Sequence, residues 1–228
     1  MGTDPSKQDD IVDRIAARIA ALRLGHPVRV AVDGRTAAGK TTFGGGLARA
    51  VRRAGRPALS LGIDGFHNPR AVRYARGRTS PAGYYHDARD LGAVKARLLE
   101  PLGPGGHRRI VRKTFDLAAD RAVVPVEETV PPDGVVVVDG TFLQRPELRG
   151  LWDYVVYLDI PAELSLERGA RRDAEVLGGP EAARAVYAAR YLPGFALYRA
   201  KIDPVAGADA VVDMADFAAP ALIFRESS

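Results

Sequence analysis

Eight residues, Gly34 to Thr41, read G-x-x-x-x-G-K-T and follow directly on the alternating apolar run Val28 to Val32. Two glycines at that spacing let a backbone wrap closely around an anion with its N–H groups turned inward. Lys40 adds a point charge for β- and γ-phosphates, and the Thr41 hydroxyl adds an oxygen ligand for Mg²⁺. A helix starting near Thr41 would aim its N-terminal dipole at the same anion. Gly34, Arg35, Thr36, Ala37, Ala38, Gly39, Lys40, Thr41 and Thr42 are therefore the candidates to hold a nucleoside triphosphate, with ATP as the expected donor.

Two carboxylates stand where such a phosphate could be worked on. Asp64 follows the apolar run "PALSLGI", and Asp139 ends "GVVVVD". In open α/β sheets ligands gather at the carboxyl ends of the strands, so both acids would face one space. Asp64 there could orient and deprotonate an acceptor hydroxyl. Asp139 suits contact with Mg²⁺ or its water. Each also precedes a glycine and could simply cap a turn. In "ELSLERGARRDAEVLGG", Arg168, Arg171 and Arg172 stand at i, i+3 and i+4, on one helix face. Three like charges repel unless an anion lies among them, although Glu167, Asp173 and Glu175 could relieve a merely solvated face. The Gly178-Gly179-Pro180 break would let 162–180 act as a hinged lid.

Composition removes several other classes. The 228 residues contain no cysteine, which excludes disulfides and thiolate metal sites. The four histidines lack metal-ligand spacing. His67 follows Asp64 closely enough to touch an acceptor, and a surface loop would suit it equally; His26 and His107 read as surface residues. No run approaches the roughly 18 apolar residues of a membrane span, and "MGTDPSKQDDIVDR" has no apolar signal core. A cytoplasmic protein without a membrane partner is expected. The net charge of +5 is spread along the chain without one long basic block, which argues against nucleic acid as a partner. Homo-oligomerisation stays open.

These groups need elements to position them. Ile11, Ile15, Ile19 and Leu22 predict an amphipathic helix over 8–23. A strand at 28–32, a helix from about Thr41 to Arg53, and a second strand ending at Asp64 follow, with Gly55 and Pro57 stopping the helix. Residues 65–86 read as a long irregular segment, and such loops are uncommon in compact domains unless functional. A helix near 87–99 precedes extended chain over 108–128. The β-branched runs at 134–140 and 154–160 suit strands covered on both faces. Helices over 162–177 and 181–200 follow, and "ADAVVDM" closes the sheet. The pattern predicts one α/β domain over 1–228, a three-layer αβα fold with a mostly parallel sheet, a lid helix and a small extended insertion.

No guanine-reading N-K-x-D segment is present, and the length leaves little room for translocase motifs. Taken together, "GRTAAGKTT", "DGFH", "SPAGYYHDARD", "VVVVDGTFL", "RGARRD" and "ADAVVD" resemble the uridine kinase branch of the P-loop kinases, which includes phosphoribulokinase and pantothenate kinase. The resemblance spans residues 25–215. It implies Asp64 as catalytic base, Thr41 and Asp139 at Mg²⁺, Lys40 with Arg168 and Arg172 around the transferring phosphoryl group, and adenine near Asp213 to Phe217. It also implies acceptor contacts from His67, Tyr84, Tyr85, Asp87, Phe115 and Asp116. The acceptor would be a nucleoside such as uridine or cytidine, or a related small alcohol. In "TFDLAADR", however, Leu117 replaces an aromatic residue and Asp120 stands where the branch places a base-reading histidine. The alternative within the class is a pantothenate- or pentose-phosphate-type acceptor, and a phosphorylated one would need further cations, which Arg70, Arg73, Arg76 and Arg78 could supply. A non-catalytic, nucleotide-dependent nucleic-acid binder remains the reading from another class.

Overall fold

The computed structural model describes residues 5–225, and its regular elements run in chain order as strands interleaved with helices. The first helix, α1 (Pro5–Ala21), leads to β1 (Val28–Gly34), α2 (Lys40–Arg53) and β2 (Ala58–Gly62). A single 3₁₀ turn, Ile63–Phe66, carries Asp64. Three short helices follow, α3 (Arg70–Arg73), α4 (Pro81–Asp87) and α5 (Leu91–Val94), the last continued by a π-turn over Lys95–Leu99. Then come β3 (Arg109–Val111), β4 (Phe115–Asp116), β5 (Arg121–Ala122) and β6 (Glu127–Thr129). The chain continues through β7 (Val135–Gly140), β8 (Tyr154–Asp159), α6 (Ala162–Leu177), α7 (Pro180–Val186), α8 (Leu192–Lys201), β9 (Ala210–Asp213) and β10 (Ala221–Phe224).

The main sheet runs β10-β9-β8-β1-β7-β2, parallel except at its β10 edge. Successive strand residues point to opposite faces, and the two faces bury separate cores. Val28, Val30, Val32, Val135 and Val137 pack with Ile15, Ile19, Phe43 and Leu47 of α1 and α2. Ala31, Val136, Val138 and Tyr157 pack with Tyr84, Leu98, Phe195 and Tyr198 on the other face. The result is a three-layer αβα fold, as the all-valine run of β7 anticipates. A β-branched run covered on both sides excludes water from its ladder and holds its register firmly.

That register positions the site. β1 lies between β7 and β8, so the glycine loop leaves the middle of the sheet at its carboxyl edge. Asp139 pairs across to Val32 on one side and to Gly62 on the other. The loop, Asp139 and the turn bearing Asp64 therefore emerge side by side from three adjacent strands.

Three local expectations need correction. Residues 65–86 are not irregular throughout, since α3 and α4 form within them. Ser80 caps α4 by accepting from the Gly83 N–H at 3.1 Å, with Pro81 at the first helical position. The helix expected from 87 begins only at Leu91, where the Asp90 side chain caps it. The extended chain expected over 108–128 is present, as two small antiparallel pairs, β3 with β6 and β4 with β5. β9 does not close the sheet, because β10 adds an antiparallel edge beyond it. No helix among the described residues is long and apolar enough to cross a membrane.

Candidate active site

The glycine loop is built around a carboxylate that its sequence pattern does not include. Asp33, the residue before Gly34, is fully buried. Its Oδ1 accepts from the N–H groups of Gly34 at 2.8 Å and Phe142 at 3.1 Å. Its Oδ2 accepts from the Tyr198 hydroxyl at 2.6 Å and from Gln144 Nε2 at 3.2 Å. Burial pushes this carboxyl above the usual range, while those hydrogen bonds and Lys40 pull it back. Four donors around one buried acid fix the foot of the loop to β7 and α8.

Above that foot the two glycines are structural necessities. Gly34 has φ 153°, and a Cβ there would lie 2.5 Å from the Leu158 carbonyl oxygen. Gly39 caps α2 in the left-handed region at φ 86°. Ala37 also holds a positive φ of 63°, a conformation costing an L-residue about 1 kcal/mol. Strain of that kind persists where surroundings over-determine the backbone, and here it sits within the proposed cradle.

A cleft of about 520 Å³ opens over this loop, lined by Thr36, Ala37, Gly39, Lys40, Thr41, Thr42, Asp64, Tyr84, Arg89, Asp139, Gly140, Thr141, Arg168, Arg172 and Phe217. Six of the expected chemical groups, Lys40, Thr41, Asp64, Asp139, Arg168 and Arg172, converge there from separate parts of the chain. Lys40 reaches back to donate to the Arg35 carbonyl at 2.5 Å. Burial lowers its ammonium to about 8, with Asp33, Asp139 and Asp64 opposing the drop. Thr41 Oγ1 donates to Asp139 Oδ2 at 2.7 Å, and burial raises the Asp139 carboxyl. A hydroxyl beside a carboxylate at a phosphate cradle is a hard-oxygen donor set of the kind Mg²⁺ accepts. The residues fit the ion.

Asp64 exposes 69% of its side chain to the cleft and pairs with Arg89 at 2.5 Å. Arg89 holds its carboxyl down to about 2, against the opposing effect of burial. His67 turns its Nδ1 to the Asp64 carbonyl at 2.8 Å, and burial lowers the ring to about 4. It is a neutral brace for the turn at pH 7, and its ring does not line the cleft.

The helix α6, expected to act as a lid, is docked at its start. Ser165 Oγ donates to the Thr36 carbonyl at 2.7 Å, and Gly169 has no room for a Cβ because the Tyr187 ring lies against it. Arg168 donates to the carbonyls of Met214 and Ala215, both at 2.9 Å, and its guanidinium covers the Phe217 ring at 3.5 Å. Arg168 thus belongs to a flat cationic-aromatic wall rather than to the phosphate end alone. Arg172 lines the cleft while paired to Asp173 at 2.7 Å, a contact that pushes its already high pKa further up. Arg171 is exposed and does not line the cleft. Because the first turns are docked, nucleotide is expected to raise amide-exchange protection over 171–179 and to leave 162–169 nearly unchanged. Hydrogen exchange with and without a non-hydrolysable ATP analogue measures this, and unchanged protection over 171–179 removes the lid.

Several expected acceptor contacts lie elsewhere. Tyr84 lines the cleft, its hydroxyl 3.2 Å from Thr36 Oγ1. Tyr85, one residue further around α4, is instead buried against Phe142 under Arg145. Asp87 accepts from Arg76 at 2.8 Å and stays outside the cleft. Phe115 and Asp116 form the β4–β5 pair, where Asp116 receives the Ala119 N–H. Gly34, Arg35 and Ala38 shape the loop without lining the cleft; the Arg35 guanidinium lies over Phe195 at 4.4 Å. Sequence reasoning missed Asp33 and Arg89 as side chains of the site, whereas Phe217 lies in the stretch expected near adenine. Asp33 gave one signal, a carboxylate directly after the alternating apolar run Val28 to Val32. Arg89 gave none, since a lone arginine in "HDARD" has no local pattern.

The fold is the three-layer αβα architecture found in P-loop NTPases. No family model matches the chain, and no curated protein matches it. Solved structures do. A protein of Bacillus stearothermophilus described as a possible uridine kinase is 23% identical, with a TM-score of 0.70 over 89% of this chain and 97% of its own. A Silicibacter sp. TM1040 protein, proposed to be a fructose transport system kinase, is 24% identical, with a TM-score of 0.69 over 83% and 94%. A D-glycerate 3-kinase of Cryptococcus neoformans var. grubii is 15% identical, with a TM-score of 0.58 over 98% and 100%. These likenesses establish the fold.

Proposed function

We propose that this protein is an ATP-dependent kinase, uridine kinase-like in build, that moves the γ-phosphoryl group to a hydroxyl of a nucleoside or sugar-like small alcohol. The observation that carries the reading is the convergence of Lys40, the Thr41–Asp139 pair and Asp64 on one cleft above the glycine loop. The acceptor oxygen forms a bond to the γ-phosphorus as the bond to the β,γ-bridging oxygen breaks. ADP leaves, and the hydroxyl proton passes to Asp64. Loop amides and Lys40 hold the β- and γ-phosphates, and Arg172 meets the charge that develops on the equatorial oxygens. Thr41 and Asp139 would hold Mg²⁺, which when bound neutralises charge on the phosphate oxygens. The Arg168–Phe217 wall is the surface for adenine, close to where the last strand's loop was expected to receive it.

Two findings favour an unphosphorylated acceptor. Arg70 and Arg73 both engage Asp120, and Arg76 engages Asp87, so three of the four loop arginines are already paired. The names of the similarly folded proteins mention uridine, fructose and D-glycerate, none of them a phosphate ester. A panel of nucleosides, pantothenate, glycerate and pentose phosphates, read by ADP release, tests the proposal. At least one alcohol is expected to raise ADP release tenfold or more over water. Stimulation by none of them, together with salt-sensitive polynucleotide binding, overturns it in favour of a nucleic-acid binder. With Asp120 tied to Arg70 and Arg73, and Phe115 outside the cleft, neither residue of the expected base-reading stretch faces the cleft. Uridine is therefore expected to be preferred over cytidine or a purine nucleoside by less than about 10³-fold in kcat/KM, a ratio that would demand polar readout of the base.

A further inference from the structure

We infer that Arg89 reads the acceptor: one N–H group holds Asp64 while its remaining donors receive a second oxygen of the substrate. The substrate is then an alcohol that carries another oxygen close to the hydroxyl being phosphorylated. The inference rests on the kinase reading and narrows its acceptor.

Three observations carry it. Arg89 lines the cleft, yet only 11% of its side chain is exposed, against 69% for its partner Asp64. Its Nη2 donates to Asp64 Oδ1, whereas Nε and Nη1 are buried and meet no hydrogen-bond acceptor among the described residues. A guanidinium has five N–H donors, and leaving buried ones without an acceptor is unfavourable. Such a cost is tolerable where a ligand oxygen completes the set.

The other cationic groups near the cleft are already engaged. Arg168 is held by two carbonyls, Arg172 by Asp173 and Tyr187, and Lys40 by the Arg35 carbonyl. Arg73, behind His67, is bound to Asp120 and the Asn68 carbonyl. Among these cations Arg89 alone keeps buried donors that meet no acceptor among the described residues, beside the carboxylate that would take the proton.

The backbone makes the pair a single unit. His67 and Arg89 form an antiparallel bridge, the Asn68 N–H donates to the Ala88 carbonyl at 3.1 Å, and the Asp90 N–H donates to the Phe66 carbonyl at 2.8 Å. Asp64 and Arg89 thus share one rigid clamp, with Asp64 for the reacting hydroxyl and Arg89 for its neighbouring oxygen. Because Asp64 already balances the guanidinium charge, a neutral hydroxyl suffices as that oxygen, and a carboxylate would engage the same donors.

The test uses the wild-type chain, Arg89→Met and Arg89→Lys, assayed by ADP release with glycerol, glycerate and uridine. Each acceptor that turns over is compared with its analogue lacking the neighbouring oxygen. Wild type is expected to favour the oxygenated acceptor by about 10²-fold or more in kcat/KM, as sites built on polar contacts do. In Arg89→Met that ratio should fall to within about 3-fold of unity. Arg89→Lys, which keeps a cation for Asp64, should recover kcat more than KM. Binding of a non-hydrolysable ATP analogue reports that each variant is folded; if Arg89→Met fails that check, Arg89→Lys carries the same comparison. Glycerol or uridine as the used acceptor identifies the second oxygen as hydroxyl, and glycerate identifies it as carboxylate. An unchanged ratio in the variants overturns the inference while wild-type turnover leaves the kinase reading standing. Absence of wild-type turnover with every alcohol overturns both.

Discussion

Replacing Lys40 with Ala is expected to cut phosphoryl transfer by about 10³-fold or more, with the fold retained. The ammonium is the fixed cation beside the glycine loop, and in a site shielded from water such a charge stabilises the transferring group far more than it would in solution. The side chain sits over a loop anchored independently by Asp33, so its removal leaves the cradle in place. A pH signature accompanies the loss. Burial holds the free ammonium at about 8, below its ordinary range. Bound phosphates favour the charged form and raise that value. Nucleotide binding therefore takes up a proton as pH climbs past 8, and affinity weakens over that range in wild type. In Lys40→Ala this dependence should vanish. Near-normal turnover in a folded variant would sink the kinase reading.

Asp64→Asn is expected to leave nucleotide binding close to wild type while lowering kcat by about 10²-fold or more. The amide preserves shape and some hydrogen bonding, yet it carries no charge and accepts no proton. Asp64 must come within roughly 2.6–3.2 Å of the acceptor hydroxyl to act, and its exposure into the cleft leaves that approach open. Arg89 keeps the carboxyl at about 2, so it is ionised throughout the neutral range. The sign follows from that depressed value: the ionised form is lost only as pH falls toward 2, and no acid limb between pH 5 and 7 should arise from Asp64. A base so weak does not drive the reaction by proton abstraction alone. It orients the hydroxyl and receives the proton as the phosphoryl group arrives, in keeping with a loose transition state. An unaltered kcat in Asp64→Asn would transfer the orienting role to another group.

The linear order of residues determined a good deal of this protein. Local rules specify the strand–glycine loop–helix unit, because tight turns, phosphate approach and helix starts depend on neighbours a few residues apart. The valines of β7 specified a strand covered on both faces, since only a buried strand tolerates four β-branched residues in succession. The one-faced arginines of α6 specified a helix, with bounds matching its structure. Tertiary structure decided which of these groups meet. Asp33 became the anchor of the loop only because Phe142, Gln144 and Tyr198, more than a hundred residues away, converge on it. Arg168 turned to the carbonyls after β9, and Asp120 paired with arginines of the α3 segment, neither of which any spacing along the chain encodes. Arg89 met Asp64 through a backbone bridge between a turn and the end of a short helix. Pairings of that kind depend on which surfaces pack together and which donors are then cut off from water, and a sequence records the donors without recording their burial.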